Sequence, residues 1–377
     1  MSLKALLLCS DEKIVRVLRR TLSDLDIGAE FCANSDAALR KLTRERYEAI
    51  VVDCSDNGSA DVLRSARSAP CNKQAVAVAI VEPIVGLRGV FEIGAHFVLY
   101  KPVSVERAKA SFRAARALMK SERRRNARVT VQLPVLLRNE TGGSVLRATT
   151  TDLSEGGIAV KIPYGRRPVG KWQIVLDLPG INEEIELPGE FAWEGSRSQA
   201  GLRFAQPAPD VMQKLREWLK QNSPDAEQAD PPIRCQLTDL SLGACYLEIS
   251  SPFPTSTRVM LSMRAGQIEV RAQGVVRVMH PDKGMGVEFT QASPEQRTAV
   301  EKFLQTLSDN RTLLPELLVE PEGLDADGQS KQRGETDDPL LQLFYSDTLS
   351  PEAFHVALCK QRAGAPGTSE TASAAHA

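Results

Sequence analysis

No two of the seven cysteines are spaced as Cys-x-x-Cys, and their number is odd. They read as free thiols in a reducing compartment. The four histidines, His96, His280, His355 and His376, lie far apart in sequence and form no metal-binding cluster. No stretch approaches the ~18 apolar residues of a membrane span. The short run Leu6-Leu7-Leu8-Cys9 is followed at once by Asp11-Glu12, so it reads as a buried strand rather than a leader. No phosphate loop, nucleophile elbow, HExxH or GxGxxG stands in a fitting context. No enzyme is expected, and no resident cofactor. The net charge is only −1, so an electrostatic partner must be found by a local patch.

What is present is 377 residues, enough for two to four domains at roughly 100–200 residues each. Over residues 1–120, apolar runs at Leu3–Leu8, Ala49–Val52, Gln74–Val81 and Phe97–Tyr100 alternate with helical patterns. The helical stretches include Asp36–Glu45, Pro83–Ile93 and Val105–Met119. That alternation predicts a doubly wound α/β domain with a parallel sheet covered on both faces. Functional groups are expected at the carboxyl ends of its strands.

Near Glu122 the period changes. Val129–Leu137, Ser144–Thr151, Gly157–Ile162, Trp172–Leu178, Gly189–Trp193 and Ala200–Phe204 read as strands, with a hairpin loop at Asn139–Gly143. Asp210–Lys220 closes the unit as a helix, giving a small β-barrel over residues 121–222. The pattern then repeats. Gly189–Trp193 matches Gly274–Val278, Gly201–Phe204 matches Gly286–Phe289 and Trp218-Leu219 matches Phe303-Leu304, all at one offset. Asp152-Leu153-Ser154 matches Asp239-Leu240-Ser241 at an offset two residues larger. A second barrel is therefore expected over residues 229–310, after a polar linker at Asn222–Pro232. Nothing before Ile233 corresponds to Val129–Leu137. The second barrel is expected to lack that strand and to expose an edge, which the first barrel, a second copy of the chain or the tail would cover. Residues 311–377 read as a largely disordered tail, with Glu316–Arg333 and Ala363–Ala377 unpatterned. An apolar island at Leu340–Tyr345 and a helix start at Ser350-Pro351-Glu352 interrupt it.

Two local features carry chemistry. Glu122–Arg128 is rich in arginine, and Asp152-Leu-Ser-Glu-Gly-Gly157 forms a turn. Together they resemble the PilZ family of cyclic-di-GMP receptors, whose signature is RxxxR followed by D/N-x-S-x-x-G on a barrel. Arg124 and Arg128 fill the first pattern; Asp152, Ser154 and Gly157 fill the second, and Arg123 precedes the first as a supporting contact. The resemblance implies an arginine segment folding over a ligand on the barrel surface. Guanidinium forks suit phosphate and the guanine edge, and a carboxylate accepts from guanine N–H groups. Gly157 is expected to let backbone approach the ligand. In the second unit Ala244 replaces that glycine and only Arg234 stands nearby, so it is not expected to bind the dinucleotide.

The first domain resembles a two-component receiver. Asp53 stands where that family accepts phosphate and Lys101 where it binds the phosphoryl group. Asp11, within Ser10-Asp11-Glu12, is the remaining candidate from the acidic pair that holds Mg²⁺. The missing first acid, and Ile80-Val81-Glu82 in place of a hydroxyl, imply weakened Mg²⁺ binding and a degenerate receiver serving protein interaction. The expectation is a cytoplasmic signalling adaptor that takes cyclic-di-GMP and then engages a protein partner or a second copy of itself. The rival is a ligand-free scaffold. Nucleic acid is not expected at the basic stretch Arg107–Arg128, because a set of base-stacking aromatics and a groove-reading helix pair are lacking.

Overall fold

The computed structural model describes residues 2–69, 71–83, 87–139, 144–162, 170–195, 198–205, 207–223, 230–290, 294–310, 314–324, 338–346 and 351–363. The expected hairpin turn at 140–143, most of the linker and the last residues of the tail lie outside that set.

The chain opens with strands β1 (Leu3–Leu8), β2 (Ile27–Cys32), β3 (Ala49–Asp53), β4 (Val76–Val81) and β5 (Phe97–Tyr100). They form one parallel sheet in the order β2-β1-β3-β4-β5. The strands β3 and β4 are buried at every residue, as a sheet covered on both faces requires. Helices α1 (Glu12–Asp24), α2 (Ser35–Leu42), α3 (Ser59–Ser68), α4 (Leu87–Glu92) and α5 (Val105–Arg125) alternate with them. This is the receiver-like fold, with the strand order of flavodoxin-type sheets and its crevice at the β1/β3 switch point.

Two closed six-stranded barrels follow, each with a C-terminal helix. The first runs β10-β11-β8-β7-β6-β9, built from β6 (Pro134–Asn139), β7 (Val145–Ser154), β8 (Gly157–Lys161), β9 (Lys171–Leu176), β10 (Ile185–Glu194) and β11 (Gln199–Phe204). Its helix α6 (Pro209–Asn222) buries Leu215, Trp218 and Leu219. The expected strand Val129–Leu137 is shorter: only Pro134 onward is strand, and Val129 forms an isolated bridge with Leu153.

The second barrel runs β12-β13-β16-β15-β14-β17: β12 (Ile233–Leu240), β13 (Ala244–Glu248), β14 (Thr257–Ala265), β15 (Ile268–His280), β16 (Gly284–Phe289) and β17 (Glu316–Leu324). Helix α7 (Pro294–Asp309) precedes its last strand. Two expectations are corrected here. The second barrel does not end at residue 310, and Glu316–Leu324 is not disordered. β17 pairs with both β12 and β14 and closes the barrel. It occupies the place that β6 takes between β7 and β9. The two barrels share one architecture with one strand moved from the front to the back of the chain. Of the three candidates for covering the open edge, the tail does so. The apolar island becomes α8 (Pro339–Phe344) and α9 (Pro351–Ala363), which pack on Ala244, Tyr246 and Val278.

Residues Met1–Met119 and Asp230–Ala377 form one compact unit and Lys120–Ala229 another. Within the former, a single apolar cluster runs from α5 through Phe112, Leu118 and Met119 into the second barrel. Arg116 Nη1 reaches Asp230 Oδ1 at 2.8 Å in the same unit.

Candidate functional site

The arginine segment meets the first barrel through backbone before any side chain is considered. Helix α5 ends at Arg125, where the Asn126 and Ala127 N–H groups donate back to the Glu122 and Arg124 carbonyls. The chain then pairs with the end of β7. Val129 N–H donates to Leu153 O at 2.8 Å, and Leu153 N–H returns the bond at 2.9 Å. Buried Thr150 continues the seam: its hydroxyl oxygen accepts from Leu133 N–H at 2.8 Å. This stitching sets Arg128 beside Asp152, with Nη1 3.1 Å from Oδ1. The Arg128 side chain is 58% exposed and that of Asp152 25%, so both keep hydrogen-bonding capacity toward solvent.

Arg124 is different. Its Nη1 is buried and has no hydrogen-bond partner among the described residues. A buried N–H of a charged group without an acceptor is costly. Arg123 already has a polar partner within the structure.

The turn behaves in part as expected and in part not. Ser154 Oγ donates to Gly157 O at 3.1 Å. Ser241 makes the same bond to Ala244 O at 3.2 Å in the second barrel, so this bond belongs to the turn itself. Gly157 has a packing role. A Cβ there would collide with the Leu202 carbonyl oxygen and lie 3.2 Å from Arg203 Cα on β11. Its bareness serves the close approach of β8 to β11. The open position is its neighbour: a Cβ on Gly156 would meet nothing within 4 Å. Glu155 is tied to α6 through Arg216 Nε at 3.0 Å.

The register reveals a residue that the motifs do not name. Asp152 lies opposite Ala159, Ala159 opposite Gly201, and Gly201 opposite Trp193. Their flanking partners Leu153, Ile158 and Leu202 fill the barrel core, so this row faces outward. The result is a shelf of small residues with a carboxylate at one end and an indole at the other. The Trp193 ring lies over Gly201, where any Cβ would strike it, and the residue is 39% exposed.

At the sheet of the receiver-like unit, Asp53 is buried at the end of β3. Lys101 Nζ sits 2.9 Å from its Oδ2 and 3.0 Å from Ser55 Oγ, and Ser55 N–H donates to Oδ1 at 3.0 Å. Burial works against the lysine charge, but the bond and charge of Asp53, with Glu82 beyond, carry its pKa above the ordinary range. Asp11 stands at the start of α1. Its carboxylate caps α1, accepting from Lys13 N–H at 2.8 Å and Ile14 N–H at 3.3 Å. Cys9 and Ser10 stand at the end of β1 instead. Cys9 Sγ lies 3.7 Å from Asp53 Oδ2, and burial pushes its thiol up to about 12, so it stays protonated. Ser10 Oγ donates to Asp56. A thiol, a hydroxyl and an ammonium around one carboxylate do not fit the oxygen ligands that Mg²⁺ requires.

The profile of the PilZ domain family matches residues 122–221 and again 223–306. Both barrels are PilZ domains. PilZ domains are cyclic-di-GMP-binding signalling domains; β17, α8 and α9 lie beyond the second match. Among solved structures, the chain is similar to the receiver domain of the sensor histidine kinase PA1611 from Pseudomonas aeruginosa PAO1. The identity is 21%, over 32% of this chain and 99% of that one, with a TM-score of 0.29. It is also similar to the chemotaxis response regulator CheY4 of Vibrio cholerae (19%, 30% and 99%, TM-score 0.28). A third is the PilZ domain of CeSA from a cellulose synthesizing bacterium (24%, 25% and 93%, TM-score 0.21). No curated protein matches the chain. Among the described residues no helix is long and apolar enough to cross a membrane.

Proposed function

We propose that this protein is a cytoplasmic signalling adaptor that binds cyclic-di-GMP on its first PilZ domain and passes the event to a protein partner. The observation that carries the reading is the contact between Arg128 and Asp152, because it holds the arginine segment against the motif turn before any ligand arrives. A guanine edge offers N1–H and N2–H to the Asp152 carboxylate and O6 and N7 to a guanidinium. The phosphates supply the acceptor that Arg124 Nη1 lacks once the arginine segment moves to uncover it. Trp193, at the far end of the shelf, offers a face on which a base stacks. Capture ties the last turn of α5 to the ligand. Because α5 runs unbroken from Val105, a change at its end is felt along a helix packed on the receiver-like sheet.

The receiver-like domain serves in this reading as an interaction platform. The Lys101 ammonium already neutralises Asp53, where a phosphoryl group would require a divalent cation.

Isothermal titration of the full chain with cyclic-di-GMP tests the proposal. Saturable heat is expected, with at least a tenfold loss of affinity for Arg124→Ala plus Arg128→Ala, or about 1.4 kcal/mol. Absence of heat with the native chain, or unaltered affinity in the double variant, would overturn it in favour of a ligand-free scaffold.

A further inference from the structure

The outward row of the first barrel has a counterpart in the second. Asp239 lies opposite Tyr246, Tyr246 opposite Gly286, and Gly286 opposite Val278. The register shifts fall at the same places in both barrels, before Asp152 and Asp239 and before Trp193 and Val278. The two rows therefore correspond residue for residue. Ala159 has become Tyr246 and Trp193 has become Val278.

The tail covers this second row. The Phe344 ring lies on Gly286, where a Cβ would strike it, so it fills the place that Trp193 fills on Gly201. Phe354 packs against Tyr246 at 5.5 Å and His280 at 4.6 Å between ring centroids. Asp338 does two jobs at once. Its Oδ1 caps α8, accepting from Leu340 N–H at 3.0 Å, and its Oδ2 accepts from Gly243 N–H at 3.0 Å. Gly243 occupies the position that Gly156 holds in the first barrel. A carboxylate oxygen of the tail thus takes a backbone donor of the motif turn, and two phenylalanines take the shelf. Tyr345 Oη adds a bond to Glu288 Oε2 at 2.9 Å.

We infer that the second PilZ domain is a receptor for an amphipathic helical segment, and that its resident ligand is the chain's own tail, residues 338–363. The row that Trp193 caps in the first barrel is covered by the tail in the second. The α8 helix spans six residues and α9 thirteen, both at or below the length at which an isolated helix holds in water. Their helicity depends on the barrel surface, so docking is a local equilibrium that a free segment of the same chemistry competes for. The inference does not rest on dinucleotide binding by the first barrel.

The test uses the full chain and a fluorescein-labelled synthetic peptide of residues 338–363, read by fluorescence polarisation. Native protein is expected to leave the peptide unbound, because the row is filled. Leu341→Asp plus Phe344→Asp in the full chain is expected to raise exchange of α8 and α9 amides at least tenfold and to bind the peptide saturably. Adding Gly286→Leu, which fills the Phe344 position from the barrel side, is expected to abolish that binding. A freed tail with no peptide binding, a tail still protected in the double variant, or equal binding by native protein would each overturn the inference. Should the double variant lose protection in β13 and β16, native exchange decides. The α8 and α9 amides are expected to open together well before those strands, and equal protection would refute a separable ligand.

Discussion

Gly157→Ala separates two explanations of the motif glycine, packing and ligand access. Gly157 is not among the residues with positive φ, so alanine meets no backbone penalty there. The obstacle is the Leu202 carbonyl oxygen, with Arg203 Cα behind it at 3.2 Å. Both atoms are backbone of β11, which pairs with β8 through Ile158–Leu202 and Gly157–Arg203, so the strands themselves must part. Overpacking of this kind costs about 1–3 kcal/mol. The second barrel bounds the figure, because it carries Ala244 at the corresponding place, opposite Glu288, and still closes. A strand displacement is thus enough, which puts the cost near 1.5 kcal/mol, offset by about 0.5 kcal/mol from the stiffer unfolded chain. The net of about 1 kcal/mol corresponds to roughly fivefold faster exchange of β8 and β11 amides, measured by hydrogen exchange with mass spectrometry. Gly156→Ala, into open space, is the control and is expected to leave exchange unchanged or slightly slower. Unaltered β8 and β11 exchange in Gly157→Ala, together with lost dinucleotide affinity, would refute the packing argument and return the glycine to the ligand.

Trp193→Ala is expected to weaken cyclic-di-GMP binding by about 1–3 kcal/mol, the worth of one stacked base, in the same titration. Lys101→Ala leaves the Asp53 carboxylate buried beside only a hydroxyl, a thiol and an amide, and is expected to destabilise the receiver-like domain by about 3 kcal/mol in urea unfolding. Incubation with acetyl phosphate is expected to leave the intact mass of the native chain unchanged; a phosphoryl adduct on Asp53 would end the platform reading of that domain. Acid is expected to loosen the tail. Burial, then the neighbouring His355 and Lys283, pull His280 down to about 4, with Glu352 opposing. Because the unfolded histidine titrates near 6.5, the open state binds the extra proton between those values, so stability falls as pH drops from about 6.5 to 4 and levels off below. Exchange of α9 amides across that range reads the effect, and a flat profile would contradict it.

Four strands of the first sheet were legible as apolar runs with polar residues at their ends, as Ala49–Val52 ends in Asp53, but β2 was not, because Gly28 and Glu30 interrupt its apolar residues. The strand β17 was not. Its buried positions include Leu317 and Val319, but Glu316, Glu320 and Glu322 flank them, and Pro321 and Gly323 break the alternation. Proline is tolerated there because it falls at a register shift against β14, a feature that depends on the partner strand. The role of Trp193 was hidden for a related reason. Strict alternation along Gly189, Phe191 and Trp193 sends the indole inward with the others, but the bulge after Phe191 turns it out onto Gly201. The sequence offered Asp11 only as a candidate from an acidic pair; its role as the cap of α1 shows only in the placement of the Lys13 and Ile14 amides. The pairing of Arg128 with Asp152, by contrast, follows from motifs whose spacing a single strand connection satisfies.

Moving one strand explains why two barrels of the same design present such different surfaces. In the first, β6 is entered from the arginine segment, whose Val129 bridges to Leu153 next to Asp152, so the arm that reaches the outward row is cationic. Its charges need acceptors, and Arg124 finds none among the described residues for its buried Nη1. In the second, the equivalent strand comes last, and no arginine arm leads into it. The chain that leaves β17 returns instead as α8 and α9, an apolar arm that fills the corresponding row with Phe344 and Phe354 and satisfies Gly243 N–H with Asp338. The cationic arm keeps a guanidinium N–H unpartnered among the described residues, whereas the apolar arm with one carboxylate completes its surface internally. The side on which the sixth strand is attached therefore decides which row meets a cationic arm and which is covered by the chain's own apolar helices.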